Sequence, residues 1–557
     1  MRAHHGSGRW LLLLVPLLFL TLFYFYPLIK IILLSFSPRP ELGQGDIRSL
    51  VDNIPHGFSR ILAFTFWQAA LSTLLTLVFA LPGAYIFAHF TFAGKKILQT
   101  LMTIPFVLPT VVTAAAFRAL LGHGGLVNQG LMALFQLKQP PINIEQSVLF
   151  FLMAHVFYNY SLVLRVVAGY WHQLDSNLHE AATMLGASPW LLFRKITLPL
   201  LLPAIGSSAL LVFIFCFTSF GVVLILGGPT CATLEVEIYR QAVQLFHLPR
   251  AAFLSLVQIS INFLLMWLYS ALSGANRVSF FSASGLGVSR RPGSLFSRWA
   301  VRINIGFMTL LLFSPLAALV IRSFMGEQGF TLAYYQALFT ADTTSVFYVP
   351  PINAVLNSLG FALAATLIAT AVGLPAAIYL AGGKEGNSWG DSFWDAVIML
   401  PLATSAVTLG FGYIISLNAP PINLRDSLLI VPLAHALIAF SFVVRCTLPG
   451  LRRIPTVLRD AARILGCSTP AVWRHIDIPL ISRAVIIGAL FSFSISMGEF
   501  GASAFVTRPH TPTMPVAIFR FLGQPGDMNY GQAMAMSTIL MLVTAAGFQL
   551  IGKLEER

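Results

Sequence analysis

Two stretches decide how this chain is read: Glu180-Ala181-Ala182-Thr183-Met184-Leu185-Gly186, closing on Ile196-Thr197-Leu198-Pro199, and Asp460-Ala461-Ala462-Arg463-Ile464-Leu465-Gly466, closing on Ile476-Asp477-Ile478-Pro479. The second repeats the first with one spacing. It is the clearest part of a duplication: Pro140-Pro141-Ile142-Asn143 recurs as Pro420-Pro421-Ile422-Asn423, Ala154-His155 as Ala434-His435, and Phe220-Gly221 as Phe500-Gly501. Arg165 and Arg445 keep the same register, and at a shifted offset Ile104-Pro105 matches Leu400-Pro401. Chance does not hold one register over so long a stretch.

The setting of the two copies is hydrophobic. The chain has 557 residues, of which 57% are apolar and 10% charged. Such a composition leaves too little charge to cover a water-facing surface and too many core-forming residues for disorder. Twelve helices of about 20 residues fit the length. The expected fold class is therefore an all-α polytopic membrane protein, with about 12 transmembrane helices in two six-helix repeats. The run Trp10–Phe36 is too long and aromatic for a cleaved signal and reads as the first span. Later spans are expected near 64–90, 97–121, 147–171, 197–226 and 251–274, then 299–323, 353–382, 392–416, 427–449, 478–505 and 532–552.

Charge sets the orientation. With both termini inside, the cytoplasmic segments carry about twice the Lys and Arg of the external ones. The formal net charge of +14 thus reads as lipid-facing loop charge, and nucleic-acid binding is not expected. A Gly/Ser-rich basic segment at 275–298 divides a first half, 1–274, from a second, 299–557. Six spans per half is an even number, so the copies share one orientation, with a pseudo-twofold axis along the membrane normal. A substrate pathway on that axis is expected.

Between the fourth and fifth spans of each half the chemistry of the repeated stretch is readable. Glu180 and Asp460 are expected in the early turns of a short helix, where an acid favours the helix dipole. Ala181-Ala182 and Ala461-Ala462 leave a close-approach face, and Gly186 and Gly466 are placed to end the helix in a left-handed cap. Ser188-Pro189 and Thr469-Pro470 then open the next helix, hydroxyl as cap and proline first. The product is helix, sharp turn, helix, a shape that suits a groove on a cytoplasmic partner.

E-A-A, three residues, G, nine residues, I-x-L-P is similar to the signature of type I ABC importer permeases. The match is complete at 180–199, while 460–479 departs with Asp460 for Glu and Ile478 for Leu. Two motifs in one chain resemble the fused permeases of the iron(III)/thiamine type. The segment from Gly227-Gly228-Pro229 through Thr233-Leu234-Glu235-Val236-Glu237-Ile238-Tyr239 is similar to thiamine and thiamine diphosphate permeases, while Ser496-Met497-Gly498-Glu499-Phe500-Gly501 recurs across the class. The resemblance implies two ATPase subunits, one on each coupling motif, an extracytoplasmic solute-binding protein and a bacterial cytoplasmic membrane. It implies a transport subunit and not an enzyme, without a cofactor; no G-x-x-x-x-G-K-[ST] loop is present. Thiamine or its phosphate is the first cargo expected, then iron(III), polyamine or an oxyanion.

Glu499 near the outer end of the eleventh span is a candidate for attracting a cationic cargo; a structural salt bridge or hydrogen bond is its plainer role. Its counterpart is Ser219. His155 and His435 occupy one place in both halves, as a paired axial site or as helix–helix hydrogen bonders. The four cysteines, Cys216, Cys231, Cys446 and Cys467, form no metal or disulfide pattern, and Cys216, Cys446 and Cys467 are expected as small buried residues. The competing class is an ion-gradient-driven secondary transporter with two parallel six-helix repeats. It accounts for the duplication but not for the paired coupling motifs.

Overall fold

A computed structural model describes residues 6–37, 51, 53–174, 176–274, 291–326, 329–340, 349–382, 389–420 and 422–556. Most of the expected linker lies outside them; helix resumes at Leu295. Eleven helices are long and apolar enough to cross a membrane, and a bent pair makes a twelfth. In order they are Leu12–Ser35, Phe58–His89, Thr110–Phe135, Val148–His172, Pro189–Phe217, Leu248–Leu272, Leu295–Phe324, Ile352–Ala381, the pair Phe393–Ala403 and Ala406–Ser416, Ile430–Arg453, Thr469–Gly498 and Asp527–Leu554. We number these spans one to twelve. Strand among the described residues is confined to two antiparallel hairpins, Met325–Gly326 with Gly329–Phe330 and Asn418–Ala419 with Ile422–Asn423, the outer pairs being Met325↔Phe330 and Asn418↔Asn423.

Four of the expected spans are broken, two of them with a cause in the adjoining residues. The stretch expected at 97–121 divides into Lys95–Leu101, Thr103–Val107 and Thr110–Leu121. Leu108 is extended (ψ 139°) because Pro109 follows it and disfavours the helical basin. The matching break in the ninth span turns by 91°. There Ser405 is extended (φ −63°, ψ 139°) and its hydroxyl accepts from Val407 N–H at 3.2 Å. Proline in one copy and a capping serine in the other break the helix at matching places. The stretches expected at 197–226 and 478–505 also stop early, at Phe217 and Gly498, and restart as the short helices Gly221–Leu226 and Ser503–Val506.

The chain divides into two compact units. One comprises Gly57–Val236 and Ser260–Arg322. Its centre is the second, fourth and fifth spans packed on one another. The seventh span lies on the second, where Phe307 stacks on Phe79 with centroids 5.6 Å apart. The other unit gathers the chain up to His56, Glu237–Ile259 and Ser323–Arg557. Here the eighth, tenth and eleventh spans form the equivalent triad. The first span packs on the eighth, and Tyr24 Oη lies 2.7 Å from Thr404 Oγ1 at the ninth-span bend. Gly412 is needed beside it, because a Cβ there would come within 3.2 Å of Pro27 and Ile31.

Candidate functional site

The duplicated motif folds the same way twice. Ser176–Met184 and Thr456–Ile464 are helices, and each ends in a left-handed glycine, Gly186 at φ +81° and Gly466 at φ +87°. In the first copy Ala187 N–H donates to the Ala182 carbonyl at 3.0 Å and Gly186 N–H to the Thr183 carbonyl at 2.9 Å. In the second, Cys467 N–H reaches Ala462 O at 3.0 Å and Gly466 N–H reaches Arg463 O at 3.0 Å. This paired closure satisfies the carbonyls that a helix end otherwise leaves bare. The next helix starts at Pro189 or Thr469 and runs through a π turn, Phe193–Thr197 or Trp473–Asp477, into the fifth or eleventh span.

Details differ from expectation in three places. Glu180 and Asp460 lie one turn inside their helices, not in the first turn, so the helix dipole acts on them weakly. Both are exposed, with Ala181 and Ala461 beside them, whereas Ala462 is buried and Ala182 partly so. In the first copy Ser188 caps as expected, accepting from Leu191 N–H at 3.3 Å with Pro189 first in the helix. In the second, Ser468 occupies the cap position, and Thr469 and Pro470 fall at the first two helical positions; proline still fits, since those N–H groups have no intrahelical acceptor. Cys467 is exposed, not buried, because it sits in this projecting turn, and Cys446 is half-buried.

What the sequence reading passed over is the pair of apolar residues before each glycine. Met184 and Leu185 are 88% and 89% exposed, and Ile464 and Leu465 are 85% and 84%. Four large apolar side chains are thus uncovered at one place in both copies. The signal was in the aligned motifs, where an apolar pair precedes the glycine both times.

The candidates at membrane depth fall in separate places. His155 is fully buried; its Nδ1 lies 2.8 Å from Ser72 Oγ and its Nε2 3.0 Å from Ser219 Oγ. His435 lies 2.8 Å from Ser496 Oγ through Nδ1 and 2.8 Å from Ser503 Oγ through Nε2. Each ring thus bridges two hydroxyls: His435 ties the tenth span across the break that follows the eleventh, and His155 ties the fourth span to the second and to Ser219 just past the end of the fifth. Ser219 is brought to His155, but Glu499, its counterpart, is not bonded to His435. Glu499 stands at the C-terminus of the eleventh span, and its Oε1 accepts from Ala502 N–H at 3.0 Å. The carboxylate thus caps the restart of the chain at Ser503–Val506. The residues that partner the histidines, Ser72, Ser496 and Ser503, were not singled out by sequence.

The segment that carries the thiamine-type resemblance forms the short helix Leu234–Tyr239. Glu235 and Glu237 on it are both buried. Glu237 accepts from Gln241 Nε2 at 2.6 Å and lies 3.5 Å from Arg240 Nε, so its charge is balanced within its own turn. No group of three or more His, Cys, Asp or Glu that could hold a metal occurs among the described residues.

With this geometry in hand, comparison with known proteins is direct. The model of the family described as "Binding-protein-dependent transport system inner membrane component" matches residues 80–278 and again 373–555. The chain is 27% identical over 475 residues to the thiamine transport system permease protein ThiP of Brucella abortus, covering 83% of this chain and 82% of that protein. It is 26% identical over 508 residues to ThiP of Escherichia coli, covering 89% of each. A solved bacterial ABC transporter involved in import of the acidic polysaccharide alginate is similar with a TM-score of 0.40 at 18% identity, over 48% of this chain and 95% of that one. Nothing in these likenesses favours the ion-gradient-driven reading. The chain belongs to the binding-protein-dependent transport system inner membrane components: it is a multi-pass permease of an ABC importer, with the family's unit present twice.

Proposed function

We propose that this permease moves thiamine or a thiamine phosphate inward, driven by two separate ATPase subunits that dock on its two glycine-turned elements. The observation that carries the reading is the pair of matching turns, each presenting an exposed acid and an uncovered apolar pair. Glu180, Ala181, Ala182 and Gly186 would engage one subunit and Asp460, Ala461, Ala462 and Gly466 the other. Both elements and both chain termini then face the cytoplasm, in keeping with the basic loops. The halves are 1–274 and 299–557, joined through 275–298. Closure of the ATPases on ATP draws the two elements together, and the spans open outward to take cargo from a binding protein.

The ThiP relatives and the segment at Leu234–Tyr239 support thiamine over iron(III), polyamine or an oxyanion as cargo. ATP hydrolysis belongs to the partners in this reading. Ser219, His155 and His435 line up better with holding the broken spans than with touching cargo, since each ring nitrogen faces a hydroxyl. Glu499 remains the residue suited to a cationic cargo, being the one acid in the span-break pair.

The test is uptake into vesicles carrying the permease with its ATPases and its binding protein. Saturable uptake of labelled thiamine that needs internal ATP is expected. Ferric uptake without thiamine uptake would contradict the cargo. Thiamine uptake driven by an ion gradient without ATP would contradict the mechanism.

A further inference from the structure

The second coupling element carries a charged bond across its glycine turn. Asp477 ends the π turn Trp473–Asp477 and is 2% exposed. Its Oδ1 accepts from Arg459 Nε at 2.8 Å. Arg459 lies on the helix Thr456–Ile464, next to Asp460, on the other side of the glycine turn. A charge-assisted bond of this length, buried at the carboxylate, fixes the distance between the two helices it joins. The positions that match by the register of the repeat are His179 and Thr197, which supply no carboxylate.

We infer that Arg459 and Asp477 form a strut that makes the second coupling element and the eleventh span move as one body. Both are positioning residues that act through the docking surface. Load applied at Ile464–Leu465 then passes to the span along two routes, the turn at Gly466 and the strut. A buried carboxylate stripped of its guanidinium is left uncompensated, so the joint loosens when either partner goes.

This inference rests on the proposed docking of ATPases, and the experiment separates the two. The full transporter is reconstituted with its ATPases and binding protein, and ATP hydrolysed per labelled thiamine imported is measured. If the unmodified chain retains no ATPase on purification, the docking reading fails before any variant is compared. With docking intact, R459Q should keep its ATPase subunits yet raise the ATP cost per thiamine about tenfold, the scale of a typical coupling energy. R459K, which restores the charge, should return the ratio most of the way. D477N should match R459Q; should D477N fail to fold, the two Arg459 variants carry the test. A ratio in R459Q within about twofold of the unmodified chain, or uptake and hydrolysis falling in parallel, overturns the strut.

Discussion

Changing both Leu185 and Leu465 to aspartate strips the ATPase subunits from the purified permease. In the chain alone these side chains are almost wholly uncovered, so their replacement removes no internal packing and leaves the fold intact. Docking as proposed carries these side chains from water into the partner. Burying a leucine stabilises by about 1.5–3 kcal/mol, and an aspartate in its place must also shed water from its charge. Each subunit then loses upwards of about 2 kcal/mol at its own site, roughly thirtyfold in affinity. Affinity purification of the permease, followed by quantitation of bound ATPase, reads this directly. Normal retention of ATPase in a well-folded double variant would mean that docking occurs elsewhere.

The second large effect is expected from the turns themselves. Valine at both Gly186 and Gly466 should reduce uptake at least about tenfold while asparagine at both retains most of it. A Cβ at either glycine meets nothing within 4 Å, so a steric clash is not the cause. The cost is in the backbone: at φ +81° and +87° an L-residue loses roughly 1–2 kcal/mol, and a β-branched one has less freedom to relax. Relief comes by unwinding the turn, which abandons the two hydrogen bonds that close each helix and swings the apolar pair away. Asparagine tolerates this basin, so it separates backbone geometry from side-chain size. Equal uptake by the valine and asparagine variants would show that the turn's shape does not matter to coupling.

The duplication, the helix–turn–helix motifs and their left-handed glycines were legible in sequence because each rests on local, additive signals. Apolar runs, a glycine at a fixed place and a register repeated across halves survive without tertiary information. The breaks inside spans were less legible. Pro109 announces one, but the 91° bend in the ninth span depends on whether Ser405 caps forward or bonds back to its own helix, and both are open to serine. The role of the histidines was undetermined for a similar reason. Their partners Ser72, Ser219, Ser496 and Ser503 come from other spans, and no pattern along the chain announces which hydroxyl will face which ring. The strut was hidden most deeply. Arg459 and Asp477 stand 18 residues apart across a turn, each in a region rich in charge, and only packing selects that pair.

Transport by the proposed mechanism requires that one chain carry two working docking elements. Native mass spectrometry of the intact complex, purified through the permease in mild detergent, counts the subunits held. Two ATPase subunits per permease chain is the expected result. A complex with a single ATPase, or none under conditions where the permease remains folded, would contradict it.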